Sequence, residues 1–234
     1  MIAVRLPRRC LGLAAGLALV PALLVMALPG AGRAEARPDA PLADAPLTSA
    51  AERLSAAALA RTAARVTYDP AYVRLAYPGG DVPADRGVCA DVVVRAFRAA
   101  LGVDLQQRVH EDMTAAFDAY PKLWGLTRPD SNIDHRRVPN LEAFLRRQGA
   151  ALRVTDDPAD YRPGDIVAWN LRGEANGRGG FLPHIGIATD RLAPSGRPQV
   201  VHNIGAGPKL EDVLFAWPIT GHYRWLPERA PAGN

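Results

Sequence analysis

Gly87-Val88-Cys89-Ala90-Asp91-Val92-Val93-Val94-Arg95-Ala96-Phe97-Arg98-Ala99-Ala100-Leu101 is the stretch whose reading decides the fold. Cys89, Val92, Val93, Ala96, Phe97, Ala100 and Leu101 recur at i, i+3, i+4, i+7 and i+8, which is one face of a helix. Gly102 follows and stops it. A helix that opens on a cysteine turns that cysteine toward whatever its apolar face packs on. The unpaired N–H groups and the dipole of a helix start favour a thiolate, so a reactive Cys89 is expected.

Working outward, Ser49-Ala50-Ala51-Glu52 is a capping-box pattern, and an Ala-rich helix follows to about Ala64. Tyr68 to Asp85 is punctuated by Pro70, Pro78, Gly79, Gly80 and Pro83 and reads as loop. Downstream, Val109, Met113, Ala116, Phe117 and Tyr120 predict a helix ended by Pro121. Asn140 is expected to cap a short helix through Leu141, Phe144 and Leu145, with Gly149 at its end. The texture then changes. Ala151–Val154, Asp165–Leu171, His184–Thr189, Gln199–Ile204 and Ile219–Leu226 are short, β-branched or aromatic runs separated by turns. Helices followed by strands predict an α+β fold, with N-terminal helices packed on an antiparallel sheet.

The ends read differently. Arg5, Arg8 and Arg9 precede an apolar run from Leu11 to about Leu28, and Ala34-Glu35-Ala36 offers a cleavage site. This is the pattern of a secretory signal peptide over residues 1–36. A retained membrane anchor is the rival, since the run is long enough to span a bilayer. Pro21, Gly30 and Gly32 favour cleavage, which leaves no stable membrane insertion and places the chain in the periplasm or outside the cell. Residues 37–48 read as a flexible lead-in, 49–228 as one domain and 229–234 as a loose tail. A monomer is expected.

Of the two cysteines, Cys10 leaves with the leader, so Cys89 has no partner for an internal disulfide. The leader also inflates the charge. The whole chain is +4, and Arg5, Arg8, Arg9 and Arg33 against Glu35 supply +3 of it. The remainder, near +1, carries no basic run with interleaved aromatics, so nucleic acid is not expected as a partner.

Two strand histidines complete a candidate site. His184 leads Ile185-Gly186-Ile187-Ala188, and His202 sits in Val200-Val201-His202-Asn203-Ile204. A cysteine nucleophile needs an imidazole base, and the base needs an orienting partner on its second nitrogen. His184 is the expected base, reaching the sulfur from a strand that faces the helix. His202 or Asn203 orients it, and strand alternation lets only one of them do so. His202 is the preferred choice. The bland readings are a buried Cys acting as a small hydrophobe and histidines that only satisfy the core. A Cys-His-His zinc site is a further rival, but it lacks the short ligand spacing of structural zinc sites. Asp134-His135-Arg136-Arg137 is either a clamp for substrate carboxylates or a salt-bridged loop. His222, Arg224 and Asp165 read as structural, and His110 as a helix-surface residue.

These phrases carry a resemblance. The helix-starting Cys89, the strand-leading His184 and the later His202 resemble the NlpC-type branch of papain-like cysteine peptidases. Tyr77-Pro78-Gly79-Gly80 and Pro163-Gly164-Asp165-Ile166-Val167 look like its aromatic-Gly-Gly element and its strand entry. The chain is also similar to the domain-of-unknown-function family 1287. The matching phrases are Tyr77–Asp81, Gly87–Asp91, Asn132–Asn140, His184–Ile187, His202–Gly205 and Ile219–Arg224. The resemblance implies a papain-like, NlpC-like fold and an exported hydrolase of amide bonds in cell-wall peptides. It makes Cys89 the nucleophile, His184 the base and His202 the orienting residue, with Tyr77 assisting at the oxyanion. It needs no metal or cofactor. One departure stands out, since the branch usually has Ser-Gly after the Cys and this chain has Ala90-Asp91. Two alternatives stay open: a non-catalytic module that binds cell-wall peptide, and a cysteine hydrolase or transferase with a non-wall substrate.

Overall fold

Ser49 opens the first helix, α1 (Ala50–Arg61), with a reciprocal cap. Its hydroxyl accepts from the Glu52 N–H, and the Glu52 carboxylate accepts from the Ser49 N–H. The structure is a computed structural model that describes residues 49–173 and 180–227. The leader, the lead-in and the C-terminal tail lie outside the described residues. No helix among the described residues is long and apolar enough to cross a membrane.

The second helix, α2 (Cys89–Leu101), buries Val92, Val93, Ala96, Phe97 and Leu101 and ends at Gly102 in the left-handed conformation, φ 67°. The third, α3 (Leu105–Ala115), starts ahead of Val109 because the Asp104 carboxylate accepts from the Gln106 N–H and caps it. The fourth, α4 (Val138–Arg147), also starts early, with proline in its first turn. Asn140 therefore lies inside it and is not its cap. Its side-chain amide donates to the Asp134 carbonyl instead.

The stretch from Tyr68 to Asp85 is bracketed by two short strands, β1 (Thr67–Tyr68) and β2 (Arg86–Gly87), which pair in parallel. Six more strands form one sheet. They are β3 (Ala151–Leu152), β4 (Ile166–Asn170), β5 (Pro183–Leu192), β6 (Pro198–His202), β7 (Lys209–Glu211) and β8 (Ile219–Tyr223). Their order is β3-β8-β4-β5-β6-β7, and every neighbouring pair is antiparallel. The molecule is thus α+β, with helices on an antiparallel sheet.

Alternation sorts the strand residues onto two faces. Ile166, Ala168, Ile185, Ile187 and Val201 join the helix residues Leu54, Val93, Phe97, Leu141 and Phe144 in the main core. Val167, Trp169 and Val200 lie on the opposite face, covered by Tyr161 and Leu214. The Trp169 indole N–H donates to the Leu214 carbonyl at 2.9 Å, which pins the segment between β7 and β8 across that face.

Candidate active site

Cys89 is the first residue of α2 and only 4% exposed. Val88 has no side-chain group to cap the helix. Asp91 supplies the contact by reaching back, its carboxylate accepting from the Val88 N–H at 2.6 Å. Burial is the largest influence on the thiol and pushes it up to about 11. The Ile185 and Ala90 backbone N–H groups and the Tyr68 hydroxyl pull the other way, and Asp91 adds to the rise. The thiolate expected from a helix start is therefore not the resting form. The dipole acts, but desolvation outweighs it.

His184 and His202 are brought together. His184 Nε2 lies 2.8 Å from His202 Nδ1, and His202 Nε2 lies 2.9 Å from a Glu211 carboxylate oxygen. Both imidazoles are buried. Register explains the first contact. His202 stands directly opposite Gly186, two residues along β5 from His184 on the same face. A methyl at position 186 would come within 2.8 Å of Val200 and 3.1 Å of His202, so glycine is what lets the ring lean diagonally toward His184. Trp169 and Trp217 flank the pair, with centroids 5.8 and 6.2 Å from the His184 ring.

The protons in this chain follow from its far end. A carboxylate only accepts, so Glu211 takes the His202 Nε2 proton. Neutral His202 then offers a lone pair at Nδ1, and His184 donates to it from Nε2. Neutral His184 is left with its lone pair at Nδ1. Neutrality of both rings agrees with their environment. Burial, reinforced by His202, holds His184 down to about 3. Burial also lowers His202, although Glu211 opposes it.

His184 does not reach the sulfur from the helix side of the sheet. The positions of β5 that face α2 are Ile185 and Ile187, and His184 belongs to the other face with Trp169. Among the described residues no hydrogen bond joins Cys89 to His184. The Ile185 N–H, on the residue that follows His184, acts on the thiol. Asn203 faces away from the imidazoles. Its amide donates to the Gly87 carbonyl at 3.4 Å, and its oxygen accepts from the Gly205 N–H. It ties the end of β6 to the chain entering α2.

The remaining polar candidates separate. Tyr77 is 43% exposed and meets the His110 ring edge-on at 4.9 Å. The tyrosine beside Cys89 is Tyr68, hidden in sequence within a stretch that reads as loop. Arg136 is consumed by the fold: Nε and Nη2 hold Asp91, and Nη1 and Nη2 reach the Ala71 and Asp69 carbonyls. His135 is buried, its Nδ1 unpartnered among the described residues, and burial lowers it to about 4. Arg137 pairs with Asp134 at 3.1 Å and stacks on Trp124. It lines, with Cys89, Tyr68, Tyr72, Trp124 and Pro183, a cavity of about 400 Å³. His222 lies elsewhere, bonded to Asp165 and stacked on Tyr161, and Arg224 also grips Asp165. Among the described residues no group of three or more His, Cys, Asp and Glu side chains is arranged to hold a metal ion.

Comparison with known proteins places these residues. A family model described as "Domain of unknown function (DUF1287)" matches residues 55–225. The chain belongs to DUF1287. The span matched by DUF1287 contains Tyr68, Cys89, Arg137, His184, His202 and Glu211. A relative from Escherichia coli (strain K12), named "Uncharacterized protein YijF", is 57% identical over 159 residues, covering 68% of this chain and 74% of its own.

Proposed function

We propose that this DUF1287 protein is an exported cysteine hydrolase of the NlpC-type, papain-like class, cleaving an amide bond in cell-wall peptides. The observation that carries the reading is the chain from buried His184 through buried His202 to the partly exposed Glu211, on the strand whose next residue, Ile185, presents its N–H to Cys89 at a helix start. A helix-start thiol beside a doubly supported imidazole is the layout of a cysteine nucleophile with an oriented base.

The reaction starts from a neutral thiol and a neutral imidazole. His184 Nδ1 takes the Cys89 proton as sulfur attacks the substrate carbonyl. The Tyr68 hydroxyl, in the role that the resemblance gives to Tyr77, donates to the oxyanion. Collapse breaks the C–N bond, and the imidazolium returns its proton to the leaving amine. Water, deprotonated by His184, then cleaves the thioester and regenerates the thiol. His202 and Glu211 fix the tautomer and support the transient positive charge.

Incubation with purified wall fragments, followed by mass spectrometry, tests this. New fragments whose summed mass exceeds the parent by one water are expected. They should vanish with Cys89→Ser. No cleavage by the unmodified protein, or equal cleavage by the variant, sinks the reading. A second reading, a non-catalytic module that binds the same peptides, is favoured by the 4% exposure of Cys89. It predicts binding with no new fragments.

A further inference from the structure

We propose that the cavity beside Cys89 is a subsite for a single carboxylate, anchored by Arg137 on a Trp124 platform. The choice of a peptide as ligand rests on the hydrolase reading; the carboxylate preference rests on the cavity alone.

Arg136 and Arg137 both line the cavity, and the fold occupies them to different extents. Asp91 and two backbone carbonyls occupy Arg136. Arg137 is different. Among the described residues only its Nη1 is hydrogen-bonded, to Asp134. Its guanidinium carbon sits 4.2 Å from the centre of the Trp124 ring. Stacking fixes the plane of the group without using its N–H donors. The Nε–Nη2 edge therefore stays open and oriented, and that edge is the fork that matches a carboxylate.

The rest of the wall sets the ligand. Val88, Val138, Pro139 and Pro183 are apolar, and Tyr68 adds a hydroxyl near the thiol. The volume of about 400 Å³ falls in the range of small-molecule sites. One open fork, with Asp134 offsetting part of its charge, suits a monoanion. It does not suit a phosphate dianion. Under the hydrolase reading, the ligand class is a short acyl peptide with a small aliphatic side chain and one free carboxylate.

The test compares N-acetyl-alanyl-alanine with its C-terminal carboxamide by calorimetry on the full chain carrying Cys89→Ala, which prevents turnover. The carboxylate should bind at least tenfold more tightly than the amide. Arg137→Gln should erase the difference, and Arg137→Lys should keep part of it. Equal affinities, no binding of either probe at millimolar concentration, or a difference that survives Arg137→Gln overturns the proposal. The probe comparison needs no change at Arg137, so misfolding of that variant does not blur it. A carboxylate preference in a protein that cleaves nothing defeats the hydrolase reading alone. Cleavage of both probes at equal rates by the unmodified chain defeats the carboxylate subsite alone.

Discussion

Asp91 and Arg136 form an ion pair buried at both ends, with Nε–Oδ1 at 2.9 Å and Nη2–Oδ2 at 3.0 Å. The same Asp91 carboxylate holds the Val88 N–H. One acid thus fastens the entry of α2 to the turn before α4, and Cys89 sits between the two anchored residues. The sequence departure at Ala90-Asp91 acquires a purpose here. Asp91, which departs from the pattern of the NlpC-type branch, is a structural clamp behind Cys89.

Removing Arg136 should therefore unfold more than it disables. Arg136→Met leaves the Asp91 charge buried and unpaired, a situation that costs about 3–5 kcal/mol. In an Asp91→Asn background the same change should cost much less, because no charge is stranded. Urea denaturation of the two single variants and the double variant measures the coupling. A loss for Arg136→Met of under about 1 kcal/mol would show that the pair contributes little.

The second prediction concerns Cys89 itself. Because burial raises it to about 11, iodoacetamide should label the native protein more slowly than a free-thiol peptide at neutral pH. The rate should climb only as the pH approaches that value. A folded pKa above the unfolded one also means that this contribution to stability is whole below about 9 and is lost between about 9 and 11. Cys89→Ala should flatten that alkaline limb. Labelling faster than the peptide below neutral pH would contradict the buried, protonated thiol.

Legibility in the sequence follows the range of the forces. The Ser49 cap and the Cys89 face were readable because both signals lie within a few residues on one helix. The placement of Tyr68 was not, since a two-residue parallel pairing with Arg86–Gly87 leaves no periodic trace. Glu211 was hidden for a similar reason. It belongs to a three-residue strand after a glycine-rich turn, and only the β6–β7 register brings it to His202. Alternation correctly separated His202 from Asn203. The strand that carries His184 does face α2, but the His184 ring shares the other face of that strand with Trp169. Ile185 and Ile187 hold the positions toward α2 because the apolar core claims them.

A third prediction reads the imidazoles through acid stability. His184 is held to about 3, below its ordinary value near 6.5, so the unfolded chain binds more protons between those limits. The contribution is whole above about 6.5 and is lost as the pH falls toward 3, at about 1.4 kcal/mol per pH unit for one proton. His135, lowered to about 4, steepens the same limb. His184→Gln should therefore remove part of the acid dependence and leave the His135 part. Urea midpoints at pH 7, 5.5 and 4.5 for the variant and the parent decide it. Identical slopes would mean that His184 binds protons in the fold as it does in the unfolded chain.

The last prediction is the direction of the proton chain. Glu211 accepts from His202 Nε2, so His202 Nδ1 accepts from His184 Nε2, and His184 Nδ1 keeps its lone pair. Nitrogen-15 NMR of histidine-labelled protein at pH 7 should show His184 protonated at Nε2 alone. Glu211→Ala removes the acceptor that fixes the order. The tautomer signal should then become mixed, and turnover, where the hydrolase reading holds, should fall by tenfold or more with little change in KM. Glu211→Gln keeps an accepting oxygen, so it should hold the tautomer while losing the charge that supports the imidazolium. His202→Asn should retain some activity, because its amide oxygen can still accept from His184 Nε2. His202→Leu should lose it, since no acceptor remains. Asn203→Ala should disturb stability more than the tautomer, because Asn203 bonds the Gly87 carbonyl and not the imidazoles. A parent protein with His184 protonated at Nδ1 would reverse every donor in the chain. The free nitrogen would then point at His202, and no lone pair would be left for the Cys89 proton.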